Sequence, residues 1–148
     1  MKSPPILILT TKLPSNGYTT TNYYKGSYLA SSTSFITKTI STEGNDYIEF
    51  VDNTTGWRIK KSGWYLFKTT NTHNVSSSKE SGNVESYLHI NGQKEIMTYT
   101  YAESSQVVAQ STGNITLYIN KGDLINYSYE PKMNGIYSHA EFYISALF

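Results

Sequence analysis

The side chains that could do chemistry in this chain are three histidines, eleven acidic residues and a large stock of hydroxyls and amides. His73, His89 and His139 could ligate a metal. No two of them stand at i, i+2 or i, i+4, the spacings that put two imidazoles on one face of a strand or helix. They read as ordinary surface or strand histidines, and neither a metal nor another cofactor is expected. Glu43, Asp46, Glu49 and Asp52 gather hard oxygen ligands near a turn, but their spacing matches no EF-hand loop, and a solvated turn accounts for them. A glycosidase needs two carboxylates at a set separation across a cleft. No such pair stands out, so no catalytic residue is assigned and the chain is not expected to be an enzyme. Asn53, Asn74, Asn114 and Asn126 begin Asn-x-Ser/Thr sequons, which chance supplies in a chain so rich in these residues. Tyr99, Tyr101 and Tyr137 could stack on sugar rings and are the candidates for ligand contact, against a competing reading as structural tyrosines.

The elements that must position these residues are strands. The chain has 148 residues, the size of one domain, and can bury roughly two-thirds of its unfolded surface. It has no cysteine, so disulfides and thiolate metal sites are excluded. A net charge of +1, with 16% charged residues, supplies no electrostatic footprint for nucleic acid or an anionic membrane. Ile6–Leu9 is the only apolar run near the start. It is too short to span a bilayer, lacks the flanks of a signal peptide, and reads as a strand or an N-terminal arm. No stretch holds a 3.6-residue period, and β-branched and aromatic residues dominate, so almost no helix is expected.

Turn residues recur about every ten positions, as in a sandwich or barrel. Glu43 to Asp46 reads as a turn between strands near Phe35–Ile40 and Tyr47–Val51. Trp64 to about Thr72 is a strand dense enough in apolar residues to be covered on both faces. His73 to Asn83 reads as a loop. Asn91-Gly92 is a type I′ hairpin turn, with Met97, Tyr99 and Tyr101 on one face of the return strand. Thr112-Gly113 reads as a turn. Ile115, Leu117 and Ile119 then point inward, and the strand from Ala140 alternates to Phe148.

Three ordered motifs carry a resemblance: Trp57 to Phe67 with its Gly63-Trp64-Tyr65-Leu66-Phe67 core, Leu88-His89-Ile90-Asn91-Gly92, and Ile115 to Ile125 with Gly122-Asp123. Together with the closing strand they resemble the tumour necrosis factor-like jelly rolls, the superfamily of the complement globular heads. The resemblance covers about residues 35–148. It implies an all-β jelly-roll sandwich of two antiparallel sheets and a homotrimer. It also implies a trimer interface drawn from Trp64, Tyr65, Phe67, Tyr127, Tyr129, Tyr143 and Phe148. The collagen-like stalk, the cysteines and an axial acidic cluster of that superfamily are missing, so calcium is not carried over.

Residues 1–34 have no counterpart in the resemblance and are expected to form an N-terminal arm or docking segment, with residues 35–148 as the jelly-roll domain. The expected function is a bacteriophage virion structural protein: a trimeric fibre head, capsid decoration or receptor-binding protein. Its expected partners are itself, a capsid or tail protein held through the N-terminal segment, and a host-surface glycan or protein. Neither nucleic acid nor membrane is expected as a partner. The alternatives are a bacterial surface or spore-coat jelly roll on the cell surface, and a carbohydrate-binding or carbohydrate-active jelly roll.

Overall fold

The computed structural model describes residues 6–13, 22–39, 41–74, 80–103, 109–134 and 136–147. In chain order the elements are β1 (Ile6–Lys12), β2 (Asn22–Tyr23), β3 (Tyr28–Leu29), β4 (Ile36–Thr39), α1 (Ser41–Tyr47), β5 (Ile48–Asp52) and β6 (Gly56–Ile59), followed by β7 (Gly63–Asn74), β8 (Gly82–Ile90), β9 (Gln93–Ala102), β10 (Ala109–Ile119), β11 (Leu124–Pro131) and β12 (Ile136–Ala146). All strand pairs are antiparallel. One sheet runs β10-β7-β12-β1-β4, with β2 also on β12. The other runs β5-β6-β11-β8-β9, with β3 also on β11. From β7 onward the chain passes back and forth between the sheets, which is the jelly-roll winding expected from the sequence.

The core lies where alternating side chains of the two sheets meet. Tyr65, Phe67, Phe142 and Tyr127 are fully buried. The Tyr127 and Phe142 rings stack at 4.6 Å, and Phe67 stacks on Phe142 at 6.4 Å. Trp57, Leu88 and Ile125 extend the cluster through the second sheet. Part of the interior is polar. The Thr69 hydroxyl pairs with the Tyr127 hydroxyl at 2.7 Å, Asn71 donates to Thr98 at 3.2 Å, and Ser86 pairs with Thr98. The first two bonds run from one sheet to the other and the third ties β8 to β9, so inward hydroxyls are satisfied where a solvent-facing pattern would put them outside.

Several expectations are corrected. Of the strand and arm readings of Ile6–Leu9 the structure takes the strand: β1 lies between β12 and β4, and Ile8, Leu9 and Leu13 are fully buried. Its apolar run therefore has a sheet to fill, and residue 34 does not separate arm from body. The expected turn at Glu43–Asp46 is the short helix α1, anchored at its end by the Lys60 ammonium on the Asn45 carbonyl at 2.6 Å and the Lys60 amide on the Tyr47 carbonyl at 2.7 Å. Gly113 makes no turn, because β10 pairs with β7 without a break. A Cβ there would collide with the Met97 carbonyl, so the glycine permits close approach of β10 to β9. His73 belongs to β7 and is buried. A bulge lets Ser86 pair with Thr98 and Tyr87 with Ile96, so Met97 leaves the face that Tyr99 and Tyr101 share and packs against the core. The expected turn at Pro14–Gly17, the loop residues Ser104-Ser105 and the strand residues Val107-Val108 lie outside the described residues.

Candidate functional site

Period-two alternation forbids neighbours on a strand from sharing a face, and this sorts the expected interface residues. On β7, Trp64, Leu66 and Lys68 point outward, while Tyr65 and Phe67 point into the core. On β11, Tyr127 and Tyr129 point inward. Tyr65, Phe67, Tyr127 and Tyr129 are therefore corrected to core residues: each is already fully enclosed within one chain. Burial, then the charge of Tyr47, pushes the Tyr65 hydroxyl up to about 12, and burial does the same for Tyr127. Trp64 and Tyr143 do face outward. Phe148 lies outside the described residues, as does the side chain of Tyr137.

The register builds the outer face of the β10-β7-β12-β1-β4 sheet row by row. Tyr118 stands beside Trp64, and the next row holds Thr116, Leu66, Ser145 and Leu7. Trp64 and Tyr118 are 54% and 51% exposed and meet edge to face at 5.7 Å. These two rows carry no charge. The rows that follow turn polar, through Lys68, Tyr143 and Thr10 to Thr70, Glu141 and Lys12. Glu141 accepts from Tyr143, from Thr70 at 3.3 Å and from His139 at 2.8 Å. Burial raises the Glu141 carboxyl, but the bonds from Tyr143 and His139 outweigh it and leave it below its ordinary value. A cleft of about 340 Å³ opens beside it between Thr10, Lys12, Ile36, Glu141 and Tyr143. Tyr118 was legible as the outward partner of Ile115, Leu117 and Ile119. Leu7 and Ile36 were not, because their strands were not read as parts of this sheet.

The opposite outer face is built by β9, β8 and β11. Its rows align Tyr101 with Asn83, then Tyr99 with Glu85 and Glu130, then Ile96 with Tyr87 and Ser128. Tyr99 and Tyr101 are 60% and 54% exposed. Glu130 is nearly enclosed, held by Lys94 at 2.8 Å, Ser128 at 2.6 Å and Lys132 at 3.2 Å. Burial alone would raise its carboxyl, yet these donors hold it below the ordinary value. Lys94 also lies over the Tyr87 ring at 5.0 Å, and the Tyr87 hydroxyl donates to Glu85. His89 pairs with Ser128 at 2.7 Å, and burial, then Lys94, lowers its pKa. In His89-Ser128-Glu130 the serine sits between the other two and is fully buried. A nucleophilic triad places the histidine in the middle and the serine open to substrate, so this line of bonds ties strands together.

The remaining sequence candidates scatter. Glu49 pairs with Arg58 at 3.0 Å on the surface. Asp52 accepts from the backbone and hydroxyls of Thr55 and Thr54, which pull it down to about 2. Among the described residues no three His, Asp or Glu side chains gather as a metal site, and no helix is long and apolar enough to cross a membrane. Asn126 is buried, its amide donating to Ser31 and the Thr54 carbonyl, which closes that sequon.

No protein-family model and no curated protein matches the sequence. Solved structures do match. The PRD1 vertex protein P5 superposes with a TM-score of 0.62 at 12% identity, covering 99% of this chain and 100% of that one. The globular domain of zebrafish complement 1qA gives 0.59 at 14%, covering 96% and 98%. Murine APRIL gives 0.52 at 11%, covering 93% and 98%. The chain has the tumour necrosis factor-like jelly-roll fold. The three ordered motifs of the sequence fall on its strands and turns: the first spans β6 and the start of β7, the second the end of β8 and the β8–β9 turn, the third β10 to β11.

Proposed function

We propose that this jelly roll is a structural protein of a bacteriophage particle, assembling as a homotrimer through the uncharged end of the β10-β7-β12-β1-β4 face. The observation that carries the reading is the outward patch of exposed Trp64, Tyr118 and Leu7 with half-buried Leu66, on a chain whose fold matches a vertex protein over essentially the whole length of both. Interface cores are enriched in aromatics and depleted of charge, and this patch has both properties. Tyr143 is the residue at its border. Fibre head, capsid decoration and receptor-binding head are the roles such a trimer fills in a virion. A capsid or tail protein is the docking partner this reading requires, engaged away from β1, which is committed to the sheet.

Light scattering on the full chain tests the assembly. A species three times the 16.7 kDa chain mass is expected, and a stable monomer at micromolar concentration overturns it. Immunogold labelling of particles purified from the source culture tests the location. Label on the particles is expected, and label confined to cell envelopes overturns it.

A further inference from the structure

The β9-β8-β11 face plays no part in that assembly, and its chemistry differs from that of a protein interface. Tyr99 and Tyr101 present two rings on one side of β9, about 7 Å apart along the strand. Both are more than half exposed. Their cross-strand neighbours are hydrogen-bonding groups, Glu85 beside Tyr99 and Asn83 beside Tyr101. Glu85 is fixed by the Tyr87 hydroxyl, and Lys94 is fixed by Glu130 while lying over the Tyr87 ring. Glu85 and Lys94 are thus ordered before any ligand arrives, which lowers the entropic cost of binding. The charges cancel locally, since Glu130 takes Lys94 and Lys132 and Glu85 stands alongside.

We propose that this face binds a neutral glycan, with Tyr99 and Tyr101 stacking on sugar rings and Asn83 and Glu85 taking sugar hydroxyls. A flat apolar ring flanked by fixed acceptors and donors matches a pyranose, which has an apolar C–H face and a rim of hydroxyls. A second copy of this chain is a poor occupant, because the half-exposed lysines paired to Glu130 would have to be desolvated at the centre of the contact. An acidic glycan would meet Glu85 beside Tyr99. The inference does not rest on the trimer, and either can fail alone.

The test uses the full-length chain on a printed array of neutral and acidic oligosaccharides, followed by titration of the strongest binder. Retention of neutral glycans is expected, insensitive to added salt. Y99A and Y101A should each weaken binding roughly tenfold, while Y99F should retain it, because the ring and not the hydroxyl does the stacking. Thermal melting and oligomeric mass should not change in any of the three. No retained glycan, retention of acidic glycans alone, binding by Y99A and Y101A equal to that of the native chain, or a change of oligomeric mass in either alanine variant would each overturn the proposal.

Discussion

Both outer faces of the sandwich expose aromatic rings, but they surround them differently. On the β10-β7-β12-β1-β4 face, Trp64 and Tyr118 pack against each other beside Leu66 and Leu7, and charge enters only two rows away. On the β9-β8-β11 face, Tyr99 and Tyr101 stand among Glu85, Asn83 and the Lys94–Glu130–Lys132 cluster. The first surface gains by being covered with another apolar surface. The second keeps its polar groups paired and can offer them to a small polar ligand. Exposed aromatic area alone does not separate the two proposed uses; the neighbours in the register do.

The harshest test of this contrast removes residues 6–13. The first face loses a central strand along with Leu7, and fully burying each of Ile8, Leu9 and Leu13 is worth about 1.5–3 kcal/mol. Loss of cooperative unfolding by circular dichroism is the expected result. A folded product would return this segment to the status of an arm. Next, W64E should weaken self-association roughly a hundredfold or more by light scattering while leaving the β-sheet spectrum intact. Y99E should leave the mass unchanged. If both variants lower the mass equally, the distinction between the faces fails.

A third prediction probes the interior that the faces share. His73 pairs with Tyr129 at 2.9 Å and stacks on its ring, and burial pushes its pKa down to about 4. The unfolded chain therefore takes up a proton near pH 6.5 that the folded chain refuses until about pH 4. Stability is full above pH 6.5 and falls as pH drops through that window, by on the order of 3 kcal/mol. Melting temperature measured from pH 7 to pH 4 should fall more for the native protein than for H73Q. The smallest effect is expected for Y99A and Y101A, which should shift stability by less than about 0.5 kcal/mol in chemical denaturation, because neither ring is packed in the core. A larger loss would make these tyrosines structural and remove the contrast from which the comparison starts.

Much of this was legible in the residues. Asn91-Gly92 forms the positive-φ turn its sequence demands, with φ of 51° and 80°, and Gly122 adopts 96° at the Gly-Asp step. Ile115, Leu117 and Ile119 do alternate with Thr116 and Tyr118 as read. The β9 pattern was harder, because its inward positions are polar. Thr98 is buried and bonded to Ser86 and Asn71, while the tyrosines face water. Hydropathy along that strand points the wrong way until the hydroxyls' partners on β7 and β8 are known.

By itself the sequence determined strand content and the positions of its tightest turns, because backbone geometry and turn chemistry act between near neighbours, while the jelly roll followed from the resemblance of its ordered motifs. Tertiary structure alone decided which tyrosines are core and which are surface. Tyrosine has an apolar body and a polar tip and is at home in either place. Tyr127 went inward because Thr69 and Asn71 of the facing sheet meet its hydroxyl. Tyr99 went outward because a bulge and a row of hydroxyls occupy the inside of its strand. It was likewise a long-range matter that Ile6–Lys12 became a sheet strand, since its partners lie more than a hundred residues away on β12.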